Sequence, residues 1–406
     1  MEQMVSKIYL TPRQSHISQS KFEKITYISS LYIILYPLNI PVFDTPSLRL
    51  SHFNTFTMAP TPNKSFIFKQ VPKGLPVAGQ DLVTEDRPID LEQDLNGGIL
   101  IKVLYSSFDP YMRGRMRPAE AGKSYIPPFE QGAVIVSSIV ARVERSDAPQ
   151  FAAGDLVTSF MGPNAEYAAI PAKFLPGFFK VPNTHNVDLP LFVGALGMPG
   201  MTAYEGFYDI GKPKKGETIF VSSAAGAVGQ IVGQLAKAEG VKVIGSVGSD
   251  EKLDFIINEL GFDAGFNYKT ESPHDALKRL APQGIDMYFE NVGGDHLEAA
   301  LESFNQQGRI IGCGMISDYN TPREQQKGVR GLFHLVAKKL SFQGFLVNLS
   351  PEKYKPFQEK VQPMIANGEL KVKIHQTDSI DQAAEGFIGM LTGQNFGKAV
   401  LKIAQA

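Results

Sequence analysis

The sequence predicts an α/β chain in which a β-rich, barrel-like portion is joined to a doubly wound parallel sheet. Three observations predict it. Short β-like runs separated by Gly/Pro clusters fill residues 65–182. Strand and helix signals begin to alternate beyond residues 185–200, as they do in βαβ units. A glycine turn, Ala224 to Gly229, joins the first strand of that alternating part to its first helix.

In the β-rich portion the strand signals are 98–105, 132–143, 155–160 and 166–170. The alternating portion opens with a strand at 217–222. Residues 227–239 follow with Val228, Ile231, Val232, Leu235 and Ala236 on one helical face. A strand at 241–245 precedes a helix over 250–260, which places Leu253, Ile256, Ile257 and Leu260 together. Further strands are expected at 264–268, 285–291, 309–313 and 340–347. Ser350 followed by Pro351 starts a helix that runs to about Ala366, and 398–403 reads as a last strand.

Composition narrows the function. A chain of 406 residues suggests two or three domains. With 40 Lys+Arg against 41 Asp+Glu the net charge is −1, which removes the best argument for nucleic acid or an anionic membrane as partner. The single cysteine, Cys313, excludes an intramolecular disulfide and a Cys-cluster metal site; the seven His form no HxH or HxxxH pair. No metal is expected. No run of 18 apolar residues is present, so no membrane span is expected. Residues 1–57 differ from the rest: they carry only Glu2, Glu23 and Asp44 as acids, and their most apolar stretch is broken by Pro37. They are read as a disordered or non-native extension ahead of a start at Met58, in a cytoplasmic protein. An organelle-targeting segment is the alternative.

The turn has the layout of a dinucleotide site. Ala224 takes the first glycine position, Gly226 lets the backbone approach a pyrophosphate, and Gly229 lets the helix pack on the strand. The helix N-terminus adds free N–H groups for the phosphates. An NAD site normally carries Asp or Glu about 20 residues on, at the end of the second strand. Gly245 offers no carboxylate there, whereas Ser246, Ser249 and Lys252 suit a 2′-phosphate. NADP is therefore favoured, although Asp250 or Glu251 could face the ribose instead.

Seven motifs, in order and spacing, cover nearly all of residues 58–406. They begin at Ser107 (SFDPYMRGRM), Gly197 (GMPGMTAY), Ser223 (SAAGAVG), Gly245 (GSVGSDEK), Phe266 (FNYK), Phe289 (FENVGG) and Cys313 (CGMISDYN). On these the chain resembles the zinc-independent medium-chain dehydrogenases/reductases, closest to the leukotriene B4 12-hydroxydehydrogenase, prostaglandin reductase and plant double-bond reductase group. The resemblance implies a GroES-like β-barrel domain at 58–185 and a Rossmann NADPH-binding domain at 186–348. Residues 349–406 would return to the first domain. It also implies a homodimer and NADPH-dependent reduction of the C=C bond of α,β-unsaturated carbonyl compounds. By family position, Ala225, Gly226, Ala227 and Val228 would meet the pyrophosphate, with Lys252 and Tyr268 near the 2′-phosphate. Asn291, Cys313, Gly314, Tyr319, Phe345, Leu346, Val347 and Asn395 would line the rest of the cofactor path.

Conjugate reduction needs no metal, but a donor must meet the carbonyl oxygen as it gains enolate charge. Tyr319 is the first candidate for that catalytic role and Tyr111 the second. Arg113 and Arg115 are read as structural or rim charges, either of which could greet an acidic substrate. Cys313 is read as a small apolar residue, since no base adjoins it. Two other readings remain open: a quinone reductase or trans-acting enoyl reductase on the same fold, and a non-catalytic NADPH-binding redox sensor.

Overall fold

A computed structural model describes residues 59–122 and 124–405. The expectation for residues 1–57 lies outside the described residues. The chain begins with β1 (Lys64–Phe68) paired antiparallel to β2 (Leu82–Asp86), then β3 (Ile99–Ser107) and a short helix α1 (Tyr111–Arg115). Next come β4 (Val136–Ser146), β5 (Leu156–Pro163), β6 (Tyr167–Ile170) and β7 (Phe179–Lys180). After α2 (Met198–Glu205) the alternation starts: β8 (Thr218–Val221), α3 (Gly229–Ala238), β9 (Lys242–Val247), α4 (Asp250–Asp254), β10 (Ala264–Asn267) and α5 (Pro273–Leu280). It continues with β11 (Ile285–Glu290), α6 (Gly294–Ser303), β12 (Phe304–Gly312), α7 (Phe333–Ala337) and β13 (Ser341–Gly344). The chain closes with α8 (Pro351–Ala366), β14 (Ile374–Thr377), α9 (Ala383–Leu391) and β15 (Lys398–Lys402).

Strands β8 to β13 form one parallel sheet of order β10-β9-β8-β11-β12-β13. This is the doubly wound order, whose switch point lies between β8 and β11. Side-chain alternation fixes its two faces. Ile219 and Val221 of β8 join Val243, Met287 and Phe289 in a core shared with α3. Phe220, Ile244, Tyr288 and Ile310 point the other way, into a core under α5 and α6. In α3, Ile231, Val232, Leu235 and Ala236 are buried, as their helical spacing requires. The second sheet has order β14-β15-β3-β4-β5-β7, with β6 also on β3. Apart from the parallel β14–β15 pair it is antiparallel. The C-terminal strand thus returns to the sheet begun by the first half of the chain. Among the described residues no helix is long and apolar enough to cross a membrane.

Four expected elements differ in detail. The strand expected at 132–143 starts only at Val136, because Gly132 and Ile135 hydrogen-bond instead to Phe68 and Phe66 of β1. The strand expected at 309–313 begins earlier, at Phe304. The helix expected over 250–260 widens after Asp254 into a π turn, where Leu260 N–H reaches Phe255 O at 3.1 Å. The strand expected at 340–347 stops at Gly344, which frees Phe345, Leu346 and Val347 to line a cavity.

Candidate active site

Two cavities share Asp109, Pro110, Ser223, Gly226, Ala227 and Ile316, so they form one continuous cleft at the switch point. The turn after β8 forms its floor. Ser223 opens that turn in the left-handed region, at φ 53°. A Cβ on Gly226 would stand 2.8 Å from Ser223 Oγ, and one on Gly229 would stand 2.4 Å from Ser223 O. Both positions therefore need glycine. No side chain caps α3; the Gln230, Ile231 and Val232 N–H groups bond to the Gly226 and Val228 carbonyls, and the Gly229 N–H at the helix start is left for an anion. Gly226 also bridges to Gly397, just before β15, which brings the 391–397 loop beside the turn.

The outer cavity, about 520 Å³, runs from the turn toward β9 and is lined by Ala225, Val247, Gly248, Lys252, Tyr268 and Asn395 among others. Lys252 donates to the Gly393 carbonyl at 2.7 Å. Burial and the nearby Lys269 hold its ammonium below the usual lysine range. An anion placed here would relieve both effects. Ser246 and Ser249 are not brought into the cleft. Ser246 is fully buried and its hydroxyl has no partner. Ser249 Oγ instead accepts from Lys252 N–H and caps α4. Neither acid beside them lines the cleft; Asp250 accepts from Asn267 Nδ2 at 2.8 Å.

The inner cavity, about 460 Å³, holds the inner half of the cleft. Val228, Gly229, Asn291, Cys313, Gly314, Tyr319, Phe345, Leu346 and Val347 line it, together with Tyr111 from the barrel side. Asn291 is fixed from below: its Nδ2 donates to Ser222 O at 2.8 Å and its N–H to Ser222 Oγ at 3.0 Å. Buried Glu290 holds the next turn, accepting from Val292 N–H, Gly293 N–H and Tyr288 Oη. Desolvation raises the pKa of Glu290 and pushes the Cys313 thiol up to about 12, so Cys313 stays a neutral thiol. Tyr319 Oη accepts from Met315 N–H at 3.3 Å, which leaves its proton free. A Cβ on Gly314 would sit 3.1 Å from that oxygen, so this glycine makes room for the phenol. Burial raises the pKa of both Tyr319 and Tyr111, and each remains protonated at neutral pH.

Two features escaped the sequence. Tyr125 lines the inner cavity as a third phenol. The buried pair Lys398–Asp109, 2.8 Å apart, stands where the two cavities meet, and Lys398 also donates to Phe108 O at 2.5 Å. A lysine directly after Gly397 in an apolar strand was the available signal for that pair. Asn395, expected on the cofactor path, lies in the 391–397 loop, which closes one wall of the outer cavity. The two arginines of the Ser107 motif are held by the chain's own carbonyls and amide oxygen. Arg113 donates to Asn320 Oδ1 and Gly74 O, and Arg115 to Pro127 O and Val136 O.

Known proteins share this arrangement. Residues 227–362 match the family model described as zinc-binding dehydrogenase, and residues 64–176 match the N-terminal domain of oxidoreductase. The NADP-dependent oxidoreductase RED1 of Cochliobolus heterostrophus is 49% identical over 346 residues, 84% of this chain and 98% of that protein. The chain belongs to the zinc-independent medium-chain dehydrogenases/reductases. A second member, the NADP(+)-dependent 2-alkenal reductase of Nicotiana tabacum, is 43% identical over 348 residues, 84% of this chain and 98% of its own. Among solved structures of the family, CurA from Vibrio vulnificus in complex with NADPH superposes with a TM-score of 0.75 at 33% identity. It covers 84% of this chain and 100% of CurA. Among the described residues no three His, Cys, Asp or Glu side chains converge as a metal would require, despite the name of the first model.

Proposed function

We propose that this medium-chain reductase saturates the C=C bond of α,β-unsaturated aldehydes and ketones. Its cofactor is NADPH. The observation that carries the reading is one cleft that joins a glycine turn, a lysine with no carboxylate partner among the described residues and two protonated phenols. Ala225 to Gly229 would hold the pyrophosphate, and Lys252 with Tyr268 the 2′-phosphate. Asn291, Cys313, Gly314 and Phe345 to Val347 would hold the inner half, with Asn395 closing the outer wall. When bound, NADPH supplies the hydride that reaches the β-carbon of the substrate.

The chain's own task is to receive the charge that then appears on the carbonyl oxygen. Tyr319 donates a hydrogen bond to that oxygen, and its raised pKa keeps the proton in place until enolate charge develops. Tyr111 faces the same cavity from the barrel and is the second donor. Apolar walls around both phenols exclude water, which strengthens their hydrogen bonds to a charged oxygen. A homodimer is part of the same proposal. Among the described residues β13 ends the parallel sheet with an unpaired edge, and Leu332, Phe333 and Val336 beside it are 50%, 75% and 72% exposed.

The test is a panel of alkenals, enones, quinones and acyl thioesters, each followed for NADPH oxidation and for product. Preferred turnover of alkenals and enones to saturated carbonyls supports the reading. Turnover confined to quinones or thioesters refutes it.

A further inference from the structure

We propose that the buried Lys398–Asp109 pair is a positioning device, a strut that sets where Tyr111 stands relative to the glycine turn. The role rests on the C=C reduction proposed above. β3 and β15 pair as far as Ser107 opposite Val400, with one further bond from Phe108 N–H to Ala399 O at 3.3 Å. Beyond that point the Lys398 side chain takes over from the backbone ladder. Its ammonium donates to Phe108 O at 2.5 Å and to Asp109 Oδ1 at 2.8 Å. Ser107 Oγ donates to the other carboxylate oxygen, Oδ2. Asp109 is thus held at both oxygens and cannot turn. Its carbonyl accepts from Met112 N–H at 3.1 Å, and Pro110 fixes the next φ, so Tyr111 enters α1 from a rigid stem.

The other end of the strut reaches the turn. Gly397, directly before Lys398, bridges to Gly226. It stands at φ 85°, and a Cβ there would lie 2.1 Å from Lys373 O, so only glycine allows this approach. The lysine stem has a slot of its own, since a Cβ on Gly194 would sit 3.1 Å from its Cγ. One short path of contacts therefore runs from Gly226 through Gly397, Lys398 and Asp109 to Tyr111. Asp109 lines both cavities and Lys398 the outer one, which puts the strut at their junction. Stability does not account for it. Lys398 and Asp109 are 2% and 3% exposed, and an apolar pair of similar volume stabilises a fold about as well as two charges taken out of water. What the charges add is direction, because a charge-assisted hydrogen bond fixes an angle that apolar packing leaves loose.

The test replaces the pair by an apolar one, Lys398→Met with Asp109→Leu, in the full chain. Tyr111 is labelled as 3-fluorotyrosine in parent and variant, and its fluorine NMR line is recorded with NADP+ added. The parent should give one narrow line, and the variant a shifted, broadened or split one. With a linear enone and saturating NADPH, kcat of the unlabelled variant should fall about 10- to 100-fold. The Kd for NADPH should stay within about threefold, and the melting temperature near that of the parent. In a Tyr111→Phe background the same replacement should cost less than about threefold, because a hydroxyl already absent cannot be misplaced. General loosening of the fold would add its full cost in either background. Ser107→Ala removes one partner of the carboxylate and leaves both charges. It should move the fluorine line and kcat the same way by less, and it decides the case if the double variant does not fold. An unchanged fluorine line, a kcat loss undiminished by Tyr111→Phe, or NADPH affinity falling in step with kcat would each overturn the strut. A parent that reduces no enone would overturn the reaction, and the fluorine comparison would still decide the strut.

Discussion

At the scale of single residues the account turns on Tyr319, Lys252 and the Lys398–Asp109 pair. Tyr319→Phe keeps the ring and deletes only the donor. It should lower kcat/KM on a simple enone by about 30- to 1000-fold, ~2–4 kcal/mol, with NADPH affinity nearly unchanged. A loss under roughly threefold, paired with a large loss in Tyr111→Phe, would move the donor to the barrel side. Lys252→Ala should weaken NADPH roughly 10- to 150-fold and NADH little, as expected when a charge-assisted bond to phosphate is lost. An unchanged cofactor preference in fluorescence titrations would place the 2′-phosphate elsewhere. Lys398→Met leaves Asp109 buried without its cation and should destabilise the fold by about 3–5 kcal/mol in denaturant melts. Replacing Asp109 by Leu in the same protein should recover most of that. A single-variant loss under about 1 kcal/mol would mean the pair is solvated.

Elements explain why much of this was legible. A glycine turn between a strand and a helix is a steric requirement, so Gly226 and Gly229 announce themselves in the sequence. Gly229→Ala should test it: the new methyl meets Ser223 O at 2.4 Å and must push α3 off β8. The expected cost is about 1–3 kcal/mol, with a smaller rise of melting temperature on adding NADPH than in the parent. An unchanged ligand-induced rise would show that the turn does not carry the phosphates. The parallel strands were legible because each is a compact apolar run. Their ends were not, since they depend on partners: Phe345 to Val347 look like more of β13, yet the chain turns there into the cleft. Ser249 shows competing local chemistry. A serine before two acids is a helix cap as well as a phosphate donor, and the cap takes its hydroxyl. Tyr125 carries no local signal of function, and Lys398 only that of a lysine in an apolar strand; tertiary packing brings both to the cleft.

At the scale of the whole molecule, the C-terminal strand β15 binds the two sheets into one device. It pairs with β3, and the residues just before it reach the glycine turn and the outer cavity. The inner half of the cleft, where we place the nicotinamide, is thereby enclosed between the sheet that would hold the cofactor and the barrel that carries Tyr111. The unpaired edge of β13 makes a further whole-molecule expectation: sedimentation should find a dimer, and Phe333→Glu with Val336→Glu should yield monomers. A dimer indifferent to those charges would use another face. The central claim, hydride delivery to a carbon–carbon double bond, has its own direct measurement. NADPH deuterated at the transferable C4 position is supplied with a linear enone, and the product is read by NMR. The account predicts a saturated ketone with its carbonyl intact and one deuterium on the β-carbon; deuterium on a carbinol carbon, giving an allylic alcohol, would contradict it.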